Sequence, residues 1–187
     1  MRIAISGTHY MGKSTMIHDF MKLHPEYHKE IEASFKLQEE DGVEFPAAPI
    51  MECILMELDY TIERLNQCAG ITHSIFDRCP VDYIAYAMYI SHQDQLDIND
   101  NEIADRFPLI KKTLRNLDLI IFLPITKEHL ITDVEDEDII FRKRVDSCFK
   151  KLYRDELYDL FPGYQQPKII ELWGERQERI KKLETYL

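Results

Sequence analysis

Apolar residues along the chain alternate between short continuous runs and longer stretches with helical spacing. Short runs bounded by polar residues predict β-strands. The predicted strands are Arg2–Ser6, Tyr27–Ala33, His73–Asp77, Leu117–Leu123 and Lys168–Leu172. Leu117–Leu123 is nearly continuous in apolar residues, as expected of a strand buried inside a parallel sheet. Tyr27–Ala33 gives the weakest prediction, because charged residues dilute its apolar pattern.

The longer stretches repeat apolar residues every three or four positions, which predicts amphipathic helices. These helices are Lys13–Leu23, Ile50–Leu65, Pro80–Ser91, Glu102–Asn116, Ile139–Leu160 and Glu175–Leu187. The clearest is Ile50–Leu65, where five aliphatic residues form one stripe. Polar segments between the elements predict loops at Gln38–Phe45, Ser91–Asn101, Thr132–Asp138 and Phe161–Pro167.

Strands and helices alternate about five times, which favours an α/β fold of three layers, with a parallel sheet between two layers of helices. The sequence contains no internal repeat and no linker that would divide it. We therefore expect residues 1–187 to form a single domain.

Composition and charge narrow the possible functions. Hydrophobic residues make up 45% and charged residues 30% of the 187 residues, which is typical of a globular domain. The net charge of −11 disfavours general binding to nucleic acid, and an anionic substrate would need a local basic pocket. We expect no membrane span and, because the first strand has no signal-peptide core behind it, a cytoplasmic protein. The four cysteines lack CxxC or zinc spacing, and we expect free thiols.

One motif carries specific chemistry. The run Gly7-Thr8-His9-Tyr10-Met11-Gly12-Lys13-Ser14-Thr15 matches G-x-x-x-x-G-K-[ST], with a strand before it and a helix beginning inside it. The two glycines let backbone N–H groups turn inward, so that the loop and the helix N-terminus bind phosphate oxygens. Lys13 would reach the β- and γ-phosphates, Ser14 would bind Mg²⁺ and Thr15 would contact the α-phosphate. The motif predicts a site for a nucleoside triphosphate.

A second candidate lies at the end of the predicted strand His73–Asp77. The carboxyl ends of neighbouring parallel strands converge on one crevice, so Asp77 is expected near Ser14, where it could hold Mg²⁺. Arg78 could neutralise a transferring phosphoryl group. The alternative is that Asp77 caps the following helix and that Arg78 lies on the surface.

The phosphate loop, the run Asp77-Arg78-Cys79-Pro80 with Asp82-Tyr83-Ile84-Ala85-Tyr86, and a late helix with arginines together resemble a P-loop kinase-type family. This family, often labelled AAA-domain or ATP/GTP-binding proteins, includes the ribosylnicotinamide kinase domain of the bacterial NAD-biosynthesis regulator. More distantly, the chain is similar to deoxynucleoside kinases. The resemblance implies a five-stranded parallel sheet of order 2-3-1-4-5 and a helical lid at about residues 132–160.

The resemblance also implies roles for individual residues. An acid after the second strand would accept the proton of the attacking hydroxyl, with Glu32 as the candidate and Glu30 as its competitor. Both could instead be solvated acids on an edge strand. Ser34 stands where related chains carry an arginine. In the lid, Arg142 is the first candidate to cover the phosphates and Arg144 the second, unless both lie on a solvated helix face.

The loop after the last strand is expected to lie against the adenine ring. Gly174 would let the backbone approach the base, and Arg176 would cover it. Trp173 is the only tryptophan and could be a core residue or could stack on the nucleotide.

Together these features predict an ATP- and Mg²⁺-dependent kinase that phosphorylates a small, nucleoside- or nucleotide-like acceptor, with a homodimer as an open possibility. The alternatives are a regulatory ATPase without a small-molecule acceptor and a nucleotide-binding module without catalysis. Leu123-Pro124-Ile125-Thr126-Lys127 lacks the Asn-Lys-x-Asp run of GTPases, which argues against that class.

Overall fold

The computed structural model describes residues 1–46, 49–98, 101–127 and 136–187. Within these residues, five strands form one sheet in which every neighbouring pair is parallel. The strands are β1 (Arg2–Ser6), β2 (His28–Glu30), β3 (Ser74–Asp77), β4 (Leu119–Phe122) and β5 (Lys168–Glu171). Their order, β2-β3-β1-β4-β5, confirms the arrangement that the sequence resemblance implies.

Helices cover both faces of the sheet and complete the three layers. They are α1 (Lys13–Leu23), α2 (Ala33–Asp41), α3 (Met51–Gln67), α4 (Pro80–Asp94), α5 (Asn101–Ala104), α6 (Phe107–Thr113), α7 (Asp136–Arg154) and α8 (Arg176–Glu184). Because strand side chains alternate, Ala4 and Phe76 pack towards α3, α4 and α7. Their neighbours Ile3 and Ile75 pack towards α1 and α8.

The segment after the second strand differs from the prediction. A strand over Tyr27–Ala33 is wrong beyond Glu30, and a loop over Gln38–Phe45 is wrong as far as Asp41. Helix α2 occupies this region because it buries Ala33 and Leu37, one turn apart, and it ends at Gly42, whose φ of 67° only glycine adopts readily. This helix matters for function because Glu32 is its N-cap residue.

Other boundaries also move. The helix predicted over Glu102–Asn116 is divided into α5 and α6, and Pro108 lies in the first turn of α6, where proline is tolerated. Helix α4 continues to Asp94, into the predicted loop. Helix α7 begins at Asp136, inside the predicted loop Thr132–Asp138, and ends at Arg154 instead of Leu160. The part of the predicted lid before residue 136 lies outside the described residues. No helix in the described ranges is long and apolar enough to cross a membrane.

Candidate active site

The phosphate loop connects β1 to α1 at the carboxyl end of the sheet. Gly7 has a φ of 139° and Gly12 a φ of 78°, which are conformations that other residues rarely adopt. A Cβ atom on Gly7 would lie 2.8 Å from the carbonyl oxygen of Leu123, so even alanine would not fit. The Gly7 N–H donates a 3.1 Å hydrogen bond to Oδ1 of Asp82. This hydrogen bond therefore fixes the phosphate loop to the first turn of α4.

Lys13 lies inside this loop and is buried. Its Nζ donates a 3.0 Å hydrogen bond to the carbonyl oxygen of Thr8. Burial and, to a smaller extent, the neighbouring guanidinium of Arg78 lower the pKa of Lys13 to about 8, although Asp77 and Glu32 oppose the shift. The loop thus holds a desolvated amine close to its own backbone.

Ser14 and Asp77 lie together beside the loop, as the convergence of strands predicts. The Ser14 hydroxyl donates a 2.8 Å hydrogen bond to Oδ2 of Asp77. The other carboxylate oxygen, Oδ1, is buried and has no hydrogen-bond partner among the described residues. Hard oxygen ligands of this kind suit Mg²⁺, which takes few ligands from a protein and the rest from phosphates and water. The donor set therefore fits a magnesium ion. The structure describes no group of three or more histidines, cysteines or acids that could hold a metal.

The alternative that Asp77 caps α4 is wrong. Cys79 is the N-cap residue of that helix, and its N–H donates a 3.0 Å hydrogen bond to Oδ2 of Asp82. Asp82 is fully buried, and burial raises the pKa of its carboxyl in spite of Arg78 and the Gly7 N–H. Asp82 therefore joins the start of α4 to the phosphate loop. Asp77 does not cap the helix, so its carboxylate remains available in the crevice beside Ser14.

Arg78 is buried and is not a surface residue. Its Nε donates a hydrogen bond to the Glu32 carboxylate, and its Nη1 donates to the carbonyl oxygen of Gly7 at 3.3 Å. The guanidinium also lies 3.6 Å from Oδ1 of Asp82 and 5.2 Å from the centre of the Tyr86 ring. Its φ of 81° is unusual for a residue other than glycine. Arg78 thereby connects the phosphate loop to the N-cap residue of α2.

The structure places the two candidate acids, Glu30 and Glu32, in different environments. Glu30 accepts hydrogen bonds from Arg64 at 2.8 Å and from the Cys68 thiol at 3.4 Å, away from the phosphate loop. Glu32 lines a cavity next to that loop. Burial alone would raise the pKa of Glu32, but Arg78 and Lys13 outweigh that effect and hold it below its ordinary value. Glu32 is thus an ionised carboxylate facing the cavity.

The cavity has a volume of about 690 Å³, which is enough for a small molecule. It lies between the phosphate loop, the start of α2 and helices α3, α4 and α7. Aromatic side chains form much of its wall: Phe45, Tyr83, Tyr86, Tyr89 and Phe141. Glu57 of α3 also lines it, and burial raises the pKa of this carboxyl to about 7. Ser34 also lines the cavity.

Helix α7 brings Arg142, and not Arg144, to the phosphate loop. Arg142 is buried and donates from Nε to the carbonyl oxygen of His9 at 3.1 Å and from Nη2 to the Met11 sulfur at 3.4 Å. His9 in turn lies 2.7 Å from Asp138 of α7, and burial lowers the pKa of its ring. The Arg144 side chain is directed to Gln93, at 3.4 Å, on the protein surface.

The arginine of α8 that reaches the loop is Arg179, which the sequence interpretation missed. Its Nη1 donates a 2.6 Å hydrogen bond to the carbonyl oxygen of Met11, and its Nε donates to that of Gly174 at 2.8 Å. Arg176, which the resemblance implied would cover the adenine ring, pairs with Asp19 at 2.6 Å on the exposed side of α1. Arg179 follows Arg176 by three residues, so the two arginines lie about one helical turn apart on the same helix. This spacing was the signal in the sequence that could have identified Arg179. Trp173 is exposed, so the alternative that it is a core residue is wrong.

Comparisons with known proteins agree with this fold. A family model described as an AAA domain matches residues 2–179. Deoxyadenosine kinase from M. mycoides with bound dATP is 18% identical, with a TM-score of 0.65, and the match covers 100% of this chain and 98% of that chain. NadR protein in complex with NR is 15% identical, with a TM-score of 0.64, over 99% of this chain and 50% of that one.

Thymidylate kinase from Candida albicans is 17% identical, with a TM-score of 0.57, over 99% of this chain and 89% of that chain. None of the curated proteins matches this chain. At such low identities the solved structures show the fold alone. Together with the family model, they confirm the resemblance to P-loop kinase-type proteins.

Proposed function

The chain belongs to the AAA-domain family, and from that premise we propose that it is a phosphotransferase, which moves the γ-phosphate of ATP to a hydroxyl of a nucleoside-like acceptor. The observation that carries this proposal is the position of Arg78. Its guanidinium contacts the phosphate loop at Gly7 and the cavity carboxylate at Glu32. A site for phosphates and a site for an acceptor therefore meet at one buried arginine.

In this proposal the residues Gly7 to Thr15 bind the phosphates of ATP through loop N–H groups and the N-terminus of α1. Ser14 and Asp77 would hold Mg²⁺, which when bound neutralises phosphate charge. Lys13 would exchange its bond to the Thr8 carbonyl for one to the transferring phosphate. Arg78 stabilises the charge that develops on the phosphoryl group as it moves towards the cavity.

Glu32 would accept the proton of the acceptor hydroxyl. Its lowered pKa keeps it ionised at neutral pH, and its bond to Arg78 fixes its orientation beside the loop. The aromatic wall of the cavity suits a planar ring, which would direct the hydroxyl of an attached sugar towards the loop. Arg142 would contribute to the same site from α7.

The experiment combines purified protein, ATP and Mg²⁺ with ribonucleosides, deoxynucleosides, nicotinamide riboside and their monophosphates, with mass spectrometry to detect a phosphorylated product. We expect slow hydrolysis of ATP alone and a sharp increase with the correct acceptor. Glu32→Gln should reduce transfer by about a hundredfold or more while ATP still binds. Glu30→Gln is the matched control, because Glu30 lies outside the cavity, and it should retain transfer.

Brisk hydrolysis that no compound alters, and that Glu32→Gln leaves unchanged, would contradict the kinase proposal. That result would instead support a regulatory ATPase.

A further inference from the structure

Glu57 is a buried acid on a face of α3 that is otherwise largely apolar. Its neighbours one turn away are Ile54 on one side and Thr61 on the other, and Leu58 follows it. Only 9% of the residue is exposed, and none of the described residues forms a hydrogen bond or an ion pair with its carboxylate. Its carboxylate oxygens are not among the fully buried atoms without a partner, so they open onto the cavity. A largely buried carboxyl group in a cavity wall favours a ligand that pairs with it.

The other charged groups of the cavity restrict that ligand. Among the described residues that line it, four are acids and the basic ones are Arg78 and His9. Arg78 is already bonded to Glu32 and to Gly7, and His9 lies 2.7 Å from Asp138. A phosphate group on the acceptor would find only cations that already have partners among the lining residues, and the acids would repel it. A positively charged or N–H-donating group would be attracted.

The aromatic wall favours the same class of ligand. Tyr89 and Phe141 meet edge to face, with ring centroids 4.7 Å apart, and Tyr86 lies 6.3 Å from Phe141. The negative faces of such rings attract cations as well as planar rings. Tyr83 also lines the cavity and interacts electrostatically with Glu57. The cavity thus combines aromatic walls with a buried acid that has no partner among the described residues.

Building on the proposed function, we propose that Glu57 is the specificity-determining residue for the acceptor. It selects a nucleoside whose ring carries a positive charge or an exposed N–H donor, and the cavity rejects the corresponding monophosphate.

The pH dependence of acceptor binding should reflect the ionisation of Glu57. Four groups face it: Arg78 after β3, Glu32 before α2, Tyr83 on α4 and Cys53 on α3 itself. The pKa of Glu57 is raised to about 7, chiefly by burial, which Arg78 opposes and to which Glu32 adds. Because the carboxylate form increases as pH rises through 7, a cationic ring should bind more tightly at pH 8 than at pH 6.

Calorimetry with a non-hydrolysable ATP analogue and Mg²⁺ tests this inference without requiring transfer. The probes are two matched pairs: nicotinamide riboside against its uncharged reduced form, and adenosine against purine riboside, which lacks the exocyclic amine. In at least one pair, the charged or amine-bearing member should bind at least about tenfold more tightly than its partner. Glu57→Gln should remove most of the preference for the charged member and its pH dependence.

Two variants separate charge from packing. Glu57→Asp keeps the charge and should retain part of the preference. Glu52→Gln removes an exposed acid of the same helix that does not line the cavity, and it should leave the preference intact. Thermal unfolding of each variant checks that it is folded.

The inference is overturned if Glu57→Gln leaves the preferences unchanged, if monophosphates bind more tightly than nucleosides, or if no probe binds at millimolar concentration. The failure of this inference can be distinguished by experiment from the failure of the proposed function. Binding that depends on Glu57 without phosphoryl transfer would contradict only the kinase proposal. Transfer that does not depend on Glu57 would contradict only this inference.

Discussion

Arg179 donates a 2.6 Å hydrogen bond to the carbonyl oxygen of Met11, so the last helix holds the phosphate loop by its backbone. The same guanidinium lies 3.5 Å from where a Cβ on Gly12 would be. A carbonyl held outward in this way leaves the adjacent N–H groups free to face a phosphate. Arg176 begins the same helix, yet its side chain pairs with Asp19 on the surface.

This contrast gives a matched pair of substitutions. Arg179→Ala should weaken ATP binding by about tenfold, because the loop loses a charge-assisted hydrogen bond to its backbone. Arg176→Ala should change ATP affinity by about twofold at most, since it removes an exposed ion pair. Titration with a fluorescent ATP analogue measures both. An equal or larger loss for Arg176→Ala would favour the predicted contact of Arg176 with the base.

Asp77→Asn should raise the Mg²⁺ concentration needed for activity by roughly tenfold or more. The metal would lose a charged ligand, whereas the loop N–H groups that hold the phosphates would be unchanged. Nucleotide affinity measured in EDTA is the control and should stay near that of the unaltered protein. An unchanged Mg²⁺ requirement would remove Asp77 from the proposed metal site.

Arg142→Ala should lower both turnover and nucleotide affinity. The family resemblance implies a lid arginine that covers the phosphates, and an arginine that met them only after lid closure would affect turnover alone. In the structure Arg142 already contacts His9 and Met11 of the loop, so its loss also loosens the nucleotide site. Arg144→Ala is the control, and steady-state kinetics should show no more than a small change. A loss of turnover with unaltered affinity would favour the closing lid.

Much of this site could be predicted because it depends on local sequence and simple topology. The loop from Gly7 to Thr15 follows from one motif, and the proximity of Ser14 and Asp77 follows from parallel strands whose carboxyl ends converge. The alternating apolar runs were sufficient to predict five strands, and the family resemblance supplied their order.

The remainder depends on tertiary contacts that periodicity does not encode. Helix α2 has a weak apolar pattern and forms because Ala33 and Leu37 pack in the core, so its sequence resembles a polar loop. Arg176 and Arg179 are alike in sequence, and only the packing of α8 decides which one reaches Met11. Glu57 lies beside the aliphatic stripe of α3, and the sequence does not show that its side chain lines a cavity.

The ionisation of Glu57 should also affect the free energy of unfolding of the protein. The pKa of Glu57 is raised from its ordinary 4.5 to about 7 in the folded state, so the folded protein binds more protons than the unfolded chain between these values. Stability linked to Glu57 is therefore fully present below pH 4.5 and is lost as pH rises through 7. Glu57→Gln removes this dependence. Relative to the unaltered protein, the variant should gain about 2–3 kcal/mol of unfolding free energy between pH 5 and pH 8.

Urea denaturation at the two pH values measures this difference, and comparing the variant with the unaltered protein cancels the other titrating groups. Glu30→Gln is the control, because Glu30 is bonded to Arg64 and should not reproduce the gain. Saturating the unaltered protein with a cationic nucleoside should give a larger stabilisation at pH 8 than at pH 5, because the ligand supplies the missing partner. A difference between variant and unaltered protein that does not change with pH would mean that the Glu57 carboxyl titrates as an ordinary exposed acid.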